Sequence, residues 1–481
     1  MNSSPERRSS PPRGGALDRH LRQRARWVVK GEDPPTVPIA LPKLRSGLAA
    51  DVERSVLDLV LRTGEAMIAT GAPVADVTAA LLRMAAGFGV TSCQVDITFI
   101  SIMVSIDRDD DPITKLRVIN VRTSDYSRLA DMFDLADDAG EGKVTLDEAH
   151  RRLDEILSAP HPYRRWIVTL ALGLMAAGVA LLLNGGPVVA AVAAVTSMII
   201  DRTLRTLRRK GLPYLFQQIV GAGIATLIGL VALWLTDRFD WPPTLLPPSL
   251  IVASGIVVLL AGLSLVGAAE DAIAGYPLTA AARSYEVALY TVGLVIGIAA
   301  VLEFGQRFGV PLRITDSSTL SSPTTVQVIG GGFIAAAWAS ASYTRAKTIL
   351  VVLPIGMLSA GTLLFARQVL ELTPAMAAFL AALMVGLASG AVSERIGSPN
   401  LVISVCGITP LLPGLAIYNA MFTMVESNDV VGGAGMLIGA LGVALALAAG
   451  VTLGEFFATP LRSEMDRWQR RVQRRARGAR T

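Results

Sequence analysis

The chain divides into two parts that differ in how apolar and polar residues alternate. From about residue 47 to 160, apolar positions recur at the intervals of helices and strands, whereas from Trp166 onward long runs such as 214–235 and 249–269 contain no charged residue. Runs of this kind reach the ~20 residues that a helix needs to cross a hydrocarbon core of about 30 Å. The pattern predicts an N-terminal domain outside the membrane, followed by a membrane-embedded region.

Two amphipathic helices open the N-terminal domain, which we expect over residues 47–163. One face of the first helix collects apolar or small residues at helical spacing, namely Leu57, Val60, Leu61, Gly64, Met67 and Ile68. This helix is expected to end at Gly71, and the second to run from Pro73 to Gly89, because proline is favoured at the start of a helix and glycine after its end.

A strand pattern follows the two helices. Residues 93–106 alternate as a strand does, but the apolar phase switches at Phe99. A β-bulge near Phe99, or burial of both faces, would explain the switch. Residues 113–121 predict a partner strand, and two further helices are expected at about 127–136 and 145–157. Together these elements predict a small α+β domain.

Ten apolar segments follow, and the loops between them alternate in charge. The segments lie at about 166–183, 187–200, 214–235, 249–269, 284–302, 325–342, 348–365, 374–392, 400–424 and 434–457. One set of loops and the C-terminal tail carry nearly all the Lys and Arg, while the other set holds only Arg238, Arg307, Arg313 and Arg367. By the positive-inside rule, this asymmetry predicts about ten transmembrane helices with both termini in the cytoplasm. The N-terminal domain is then cytoplasmic.

A polar stretch over residues 303–325 separates the segments into two groups of five, 164–303 and 324–457. Two consecutive groups of five have opposite orientations, which permits an inverted repeat, although no internal sequence repeat is evident. Residues 1–46 are rich in Arg, Pro and Ser and are expected to form a disordered tail. Residues 458–481 predict a basic amphipathic helix on anionic lipid. The predicted fold class is an all-α polytopic membrane protein with an N-terminal α+β domain.

Composition and charge exclude several classes of protein. With 52% hydrophobic residues and 17% charged, the 481-residue chain does not have the balance of a soluble enzyme or a disordered regulator. The net charge of +5 reflects basic residues beside membrane segments, so it indicates orientation and lipid contact and not nucleic-acid binding. The two cysteines lie far apart in the sequence, and the three histidines all precede the first apolar segment. These positions predict no metal site and no cofactor. The sequence is compatible with a homo-oligomer.

Few ionisable residues interrupt the apolar region, and those few are candidate functional residues because a charge at a helix centre costs at least ~2.5 kcal/mol. Asp271 ends the fourth segment, and Arg283 and Glu286 open the fifth. One interpretation is that Arg283 and Glu286 pair along one helix face. The other is that Asp271 and Glu286 face a cavity, where they bind an ammonium group or relay a proton, while Arg283 binds a carboxylate.

The ninth segment contains the sequence GITPLLPG at 407–414. Each proline removes a backbone donor and opposes the carbonyl one turn back, so a regular helix cannot continue. A broken helix at membrane depth offers backbone groups to a cavity, although a simple proline kink is the alternative. The candidate residues here are Thr409, Pro410, Pro413, Gly414, Tyr418 and Asn419.

The glycines 64, 71 and 89 of the helix pair, the sequence VDIT at 95–98, and GITPLLPG with Tyr418 resemble the threonine/serine exporter family over about residues 47–457. The resemblance implies a non-enzymatic transporter of the plasma membrane that exports threonine and serine, with protons as the coupling ion. Similar proteins occur as two separate chains that together export a dicarboxylate such as succinate.

Three functions are therefore weighed, and export of small hydroxy amino acids is favoured. A dicarboxylate exporter needs more than one cationic group, and only Arg283 is obviously placed for that role in the sequence. A membrane-bound hydrolase needs a nucleophile beside a base, and Ser101 and Ser105 have no histidine near them in the sequence.

Overall fold

The computed structural model describes residues 50–107, 112–119, 123–242, 245–259, 262–307, 323–426 and 429–478. Side chains are described from Asp51 to Ala458, except those at 415, 418, 421, 422, 425 and 426. The predicted N-terminal tail, 1–46, lies outside the described residues.

The N-terminal domain is a three-stranded sheet with four helices. The strands are antiparallel in the order β1-β2-β3. In chain order the elements are α1 (Ala50–Ala69), α2 (Val74–Gly87), β1 (Cys93–Ile97), β2 (Ser101–Ile106), β3 (Ile113–Val118), α3 (Tyr126–Gly140) and α4 (Leu146–Ser158).

The apolar face predicted for α1 is the one that forms the core. Leu57, Val60 and Met67 are fully buried, together with residues of α2 and β2. Gly71, with a φ of +93°, ends the first helix where its predicted stop lies, because this backbone conformation favours glycine. The predicted α+β character of the domain is confirmed.

The prediction of one strand over 93–106 is wrong. The chain reverses at Thr98–Ile100, where the Thr98 N–H donates to the Ser101 carbonyl at 2.9 Å, and Cys93 pairs with Ile106 across the two strands. A hairpin, and not a bulge, therefore causes the switch in apolar phase, because the turn residues interrupt the alternation.

Twelve described helices make up the rest of the chain. They are α5 (Arg165–Leu182), α6 (Gly186–Arg209), α7 (Tyr214–Phe239), α8 (Pro248–Gly255), α9 (Gly262–Ile273), α10 (Pro277–Arg307), α11 (Thr324–Ala341), α12 (Ala346–Gln368), α13 (Pro374–Ile396), α14 (Asn400–Ile408), α15 (Gly414–Glu426) and α16 (Val430–Gly478).

Within the described ranges, 7 helices are long and apolar enough to cross a membrane: α5, α6, α7, α10, α12, α13 and the first part of α16. The stretch Pro248–Val258 and α9 pass the same test together, but they are bent by 53°, and they make an eighth span if they count as one. The chain is thus a multi-pass membrane protein. The other two predicted segments correspond to α11 and to the α14–α15 pair, and for them the count of ten stays a prediction.

The last helix runs without interruption from Val430 to Gly478. The predicted helical character of the C-terminal tail is therefore confirmed as far as residue 478, and the tail continues the last apolar segment. Its contact with anionic lipid stays a prediction.

The N-terminal domain is bonded to the ends of three membrane helices. The Thr279 hydroxyl of α10 donates to the Ile97 carbonyl at 3.4 Å, and the Tyr126 N–H donates to the Ser342 carbonyl, just after α11, at 2.9 Å. Arg345, just before α12, pairs with Asp134 at 3.1 Å and with Asp131. These contacts hold the domain against the ends of helices that line a cavity.

Candidate functional site

A cavity of about 720 Å³ lies between the N-terminal domain and the membrane helices. The domain contributes the turn between α1 and α2 and the turn between β1 and β2, including Gly71, Val74, Thr98 and Phe99. Small-molecule sites have volumes of about 300–1,000 Å³, so a metabolite fits into this space.

Two broken segments meet at the cavity. The first consists of Pro248–Val258 followed by α9, and the second of α14 and α15. A Cβ atom on Gly262 would lie 3.3 Å from Cβ of Leu412, so the backbone just after the first break is in contact with the second. Both segments line the cavity, through Val258, Leu259, Leu263, Leu401, Val405 and Ile408.

The breaks occupy corresponding places in the sequence, because each is the fourth of five predicted segments. Interrupted helices in corresponding positions of two halves are typical of transporters, in which the half-helix ends form the binding site. The structure therefore supports an interpretation of this cavity as a transport site.

The second break has the position that its prolines predict. Helix α14 ends at Ile408, a 3-10 turn covers Thr409–Leu411, and α15 begins at Gly414. Thr409 donates to the Val405 carbonyl at 3.0 Å, which occupies its hydroxyl hydrogen. Within this broken segment, the residues that line the cavity belong to α14, before the break. The candidate residues Thr409, Pro410, Pro413, Gly414 and Asn419 are not among the described lining residues. Tyr418 belongs to α15, and its side chain lies outside the described residues.

Asp271 and Arg283 form a buried ion pair. Oδ2 of Asp271 lies 3.2 Å from Nη1 of Arg283, and the Asp271 side chain is 0% exposed. Its other oxygen accepts the backbone N–H of Val74 at 3.2 Å. Arg283 reaches its partner across Gly267, where a Cβ atom would lie only 2.8 Å from Nη1. The expected pairing of Arg283 with Glu286 is thus replaced by a pairing with Asp271, because the turn between α9 and α10 folds the two residues together.

Arg283 and Glu286 line the cavity, and Asp271 is not among the described lining residues. The Asp271 carboxylate instead contacts Arg283 and the start of α2. Glu286 accepts a hydrogen bond from the Tyr290 hydroxyl at 2.5 Å. Glu270, which precedes Asp271, lines the cavity as well, and sequence reasoning gave it no role.

Sequence reasoning also missed a group of cationic side chains on the cavity wall. Arg165 of α5, with Arg205 and Arg208 of α6, lines the cavity beside the buried carboxylate of Asp201. These arginines were interpreted only as markers of orientation. The signal that could have identified them is Asp201 itself, an acid four residues before Arg205 at the end of an apolar segment.

The N-terminal domain also contributes a histidine–aspartate pair to the cavity wall. Nδ1 of His161 lies 2.7 Å from Oδ2 of the buried Asp125, and the imidazole stacks on the Tyr343 ring at 4.4 Å. Oδ1 of Asp125 also accepts the Arg128 N–H at 3.1 Å and so caps α3. The two serines considered for hydrolysis bond elsewhere, Ser101 with Thr98 at 2.7 Å and Ser105 with Thr114 at 2.8 Å.

Comparison with known proteins gives the same classification at both ends of the chain. A family model described as "Putative threonine/serine exporter" matches residues 58–305, and one described as "Threonine/Serine exporter, ThrE" matches residues 327–457. No solved structure matches the chain.

Three curated proteins are similar to the chain. A "Probable threonine/serine exporter" from Mycobacterium tuberculosis is 38% identical over 92% of this chain and 84% of its own length. A "Threonine/serine exporter" from Corynebacterium glutamicum is 35% identical over 85% of this chain and 83% of its own length. A "Probable succinate transporter subunit YjjP" from Escherichia coli is 23% identical over 53% of this chain and 96% of its own length. The two family models and the two exporters show that the chain belongs to the threonine/serine exporter family of membrane transporters.

Proposed function

We propose that the protein exports threonine and serine from the cytoplasm and that the proton motive force drives this export. The observation that carries the proposal is the cavity of about 720 Å³, which both broken segments line and which contains cationic and anionic side chains. A zwitterionic amino acid needs groups of both signs, since its ammonium and carboxylate leave their hydration shells on binding.

In this proposal Glu286 binds the ammonium group or carries the coupling proton. Arg283 contributes positive charge to the cavity, and Asp271 holds Arg283 in position. The break at Thr409, Pro410, Pro413 and Gly414, with Tyr418 and Asn419 beyond it, allows the wall formed by α14 to move relative to α15.

The proposal also places both termini and the N-terminal domain in the cytoplasm of a cell with this protein in its plasma membrane. Its support is the concentration of Lys and Arg in alternate loops, as in the run from Arg202 to Lys210 that ends α6. The cavity then opens or closes on its inner side by movement of the domain.

The energetics of proton coupling are adequate. One charge that moves through 100 mV releases ~2.3 kcal/mol. A tenfold concentration gradient costs about 1.4 kcal/mol, so one proton sustains an outward gradient of at least about tenfold.

The test is an efflux assay in cells that lack other threonine exporters. The cells are loaded with a threonine-containing dipeptide, and threonine release is followed with and without the protein, and again after a protonophore. We expect release that depends on the protein and is abolished by the protonophore. The absence of such release for both threonine and serine overturns the assigned substrates, while release that the protonophore leaves unchanged overturns the proton coupling alone.

A matched pair of variants tests the site within the same assay. Glu286→Gln removes a cavity carboxylate, whereas Glu303→Gln changes an exposed carboxylate of the same helix that pairs with Arg307. Loss of a charge-assisted hydrogen bond to the substrate lowers affinity by about tenfold or more. We therefore expect a loss of efflux at low internal threonine for the first variant only, and equal efflux by both contradicts the role of Glu286.

Dicarboxylate export is the second candidate. The argument against it was that only Arg283 was obviously placed as a cationic group, and the cavity wall contradicts that argument. Arg165, Arg205 and Arg208 line the cavity in addition to Arg283, so cationic groups are more numerous there than the sequence indicated. The same cells loaded with succinate distinguish the two candidates, since only a dicarboxylate exporter increases succinate release.

A further inference from the structure

The arginines at the ends of α5 and α6 form a cluster that the proposed function does not yet use. Arg205 pairs with Asp201, and Nη2 of Arg165 lies 3.6 Å from the other oxygen of the same carboxylate. Arg208 lies one turn further along the cavity wall. One carboxylate cannot neutralise three guanidinium groups, so this part of the wall carries an excess of positive charge.

Arg205 is held in place by its neighbours and retains an unused donor. Its Nη2 donates to the Thr169 hydroxyl at 3.0 Å, and that hydroxyl donates to Asp201 at 2.7 Å. Nε of Arg205 is buried and has no hydrogen-bond partner among the described residues. Buried donors are nearly always paired, and a guanidinium presents its donors in a planar fork that matches a carboxylate. Arg205 is therefore held in a fixed orientation at the cavity wall, which suits its guanidinium to bind a carboxylate in the cavity.

An aromatic pair connects the arginine cluster to Glu286. The Arg208 guanidinium lies 6.0 Å from the centroid of the Tyr214 ring, and the Tyr214 and Tyr290 rings lie 4.4 Å apart. Tyr290 in turn donates to Glu286 at 2.5 Å. Two tilted aromatic rings thus lie between Arg208 and Glu286 in this series of contacts.

Arg283 is less suited to bind a substrate carboxylate, because Asp271 already neutralises it. The pair is buried, with side-chain exposures of 14% and 0%, and Gly267 packs against the guanidinium. A substrate carboxylate at Arg283 would have to compete with a fixed carboxylate at 3.2 Å. The cluster of Arg165, Arg205 and Arg208, by contrast, contains three positive charges and the single negative charge of Asp201.

We propose that Arg205 and Arg208, supported by Arg165, form the subsite for the carboxylate of the transported molecule. This inference rests on the proposed function and specifies the site of that function. It reassigns carboxylate binding from Arg283 to the first two membrane helices.

The test measures binding to the purified full-length protein in nanodiscs of phosphatidylcholine, which removes anionic headgroups. The ligands are L-threonine and L-threoninamide, which lacks the carboxylate. The variants are Arg205→Gln and Arg208→Gln, with Arg202→Gln as the matched control, since Arg202 is an exposed residue of the same helix outside the described cavity lining. Arg208 is exposed, so Arg208→Gln is expected to fold even if Arg205→Gln does not.

We expect Arg208→Gln to weaken threonine binding by about ten- to a hundredfold and to leave threoninamide binding unchanged, because only the former ligand loses a charge-assisted hydrogen bond. Arg202→Gln is expected to bind both ligands like the unmodified protein. Unchanged threonine affinity in Arg208→Gln overturns the subsite while leaving threonine export intact. An Arg208→Gln effect that appears only in nanodiscs with phosphatidylglycerol overturns it as well, because the arginine then acts through lipid.

A third ligand separates the subsite from the choice of substrate. If the unmodified protein binds succinate and not threonine, and Arg208→Gln abolishes succinate binding, the carboxylate subsite is supported and the substrate assignment is overturned. If the unmodified protein binds neither threonine, serine nor succinate, both the subsite and the assignment are overturned.

Discussion

The two groups of five predicted segments contribute different chemistry to the same cavity. Every charged side chain that the described membrane segments place on its wall belongs to the first group, namely Arg165, Asp201, Arg205, Arg208, Glu270, Arg283 and Glu286. The second group contributes apolar and aromatic residues, among them Trp338, Tyr343 and Val405. The first group therefore supplies the electrostatics of the site, and the second supplies a largely apolar wall.

The broken segments differ in the cause of the break. In the second group Pro410 and Pro413 lack the backbone N–H groups that a helix requires, so the interruption is intrinsic to the sequence. In the first group no proline lies between Leu259 and Gly262, and Gly262, just after the 53° bend, packs against Leu412. The local sequence thus explains the second break, whereas no local signal marks the first.

The largest expected effect is on stability and concerns the first group of segments, which carries the charged side chains that the described membrane segments place on the cavity wall. Asp271→Asn leaves Arg283 buried without its counter-charge, which typically costs about 3–5 kcal/mol, while the amide oxygen can still accept the Val74 N–H. We expect a large drop in the thermal unfolding midpoint of the detergent-purified protein. Asp271→Asn/Arg283→Gln removes both charges and is expected to recover most of that loss. If Asp271→Asn alone is as stable as the unmodified protein, the ion pair does not have this role.

The second expected effect is on the proline break. Pro410→Ala/Pro413→Ala restores two backbone donors and favours a continuous helix, so we expect threonine efflux to fall by about tenfold or more, since alanine is ~3 kcal/mol more favourable than proline within a helix. Pro354→Ala is the matched control, because Pro354 lies inside the uninterrupted helix α12. Equal efflux by the two variants, at equal amounts in the membrane, would show that the break has no part in transport.

The sequence predicted what depends on local rules. Apolar runs and loop charges indicated the membrane region, and Pro410 and Pro413 indicated a break, because each of these signals acts within one helix. The hairpin at Thr98 was missed because apolar alternation does not report chain direction. Helix existence was therefore easier to predict than the fold of a short turn.

The candidate site was predicted only in part, because most of it depends on contacts between distant residues. Asp271 and Arg283 are close in sequence, yet their pairing depends on the fold of α9 against α10. Arg205 and Arg208 were interpreted as orientation markers, since charge counts do not show which arginines face inward. The bend before Gly262 has no proline to indicate it, so nothing in the local sequence predicts it.

A smaller effect is expected where the two breaks touch. Gly262→Leu places a side chain where even Cβ lies 3.3 Å from Leu412, so the two segments must separate. We expect efflux to fall by about two- to tenfold, as for overpacking of ~1 kcal/mol, and to recover in Gly262→Leu/Leu412→Gly, which removes the Cβ atom of residue 412. Gly439→Leu is the control, since a Cβ atom there meets no atom within 4 Å among the described residues. No recovery in the double variant would argue against a direct contact between the breaks.

The smallest expected effect concerns Asp76 of α2. This helix begins where the N-terminal domain contacts the first group of segments, through Val74 and Asp271. Loss of hydration raises the pKa of its carboxyl, Arg83 opposes that rise, and the charge of Asp271 adds to it. A raised pKa in the folded state means that the contribution to stability is present below the ordinary pKa and is lost as the pH rises through the folded value. Asp76→Asn, which stays neutral, is therefore expected to raise the unfolding midpoint by on the order of 1 °C at pH 8 and by less at pH 5. A gain that grows on acidification would contradict this sign and would show that the attraction of Arg83 outweighs the loss of hydration and the charge of Asp271.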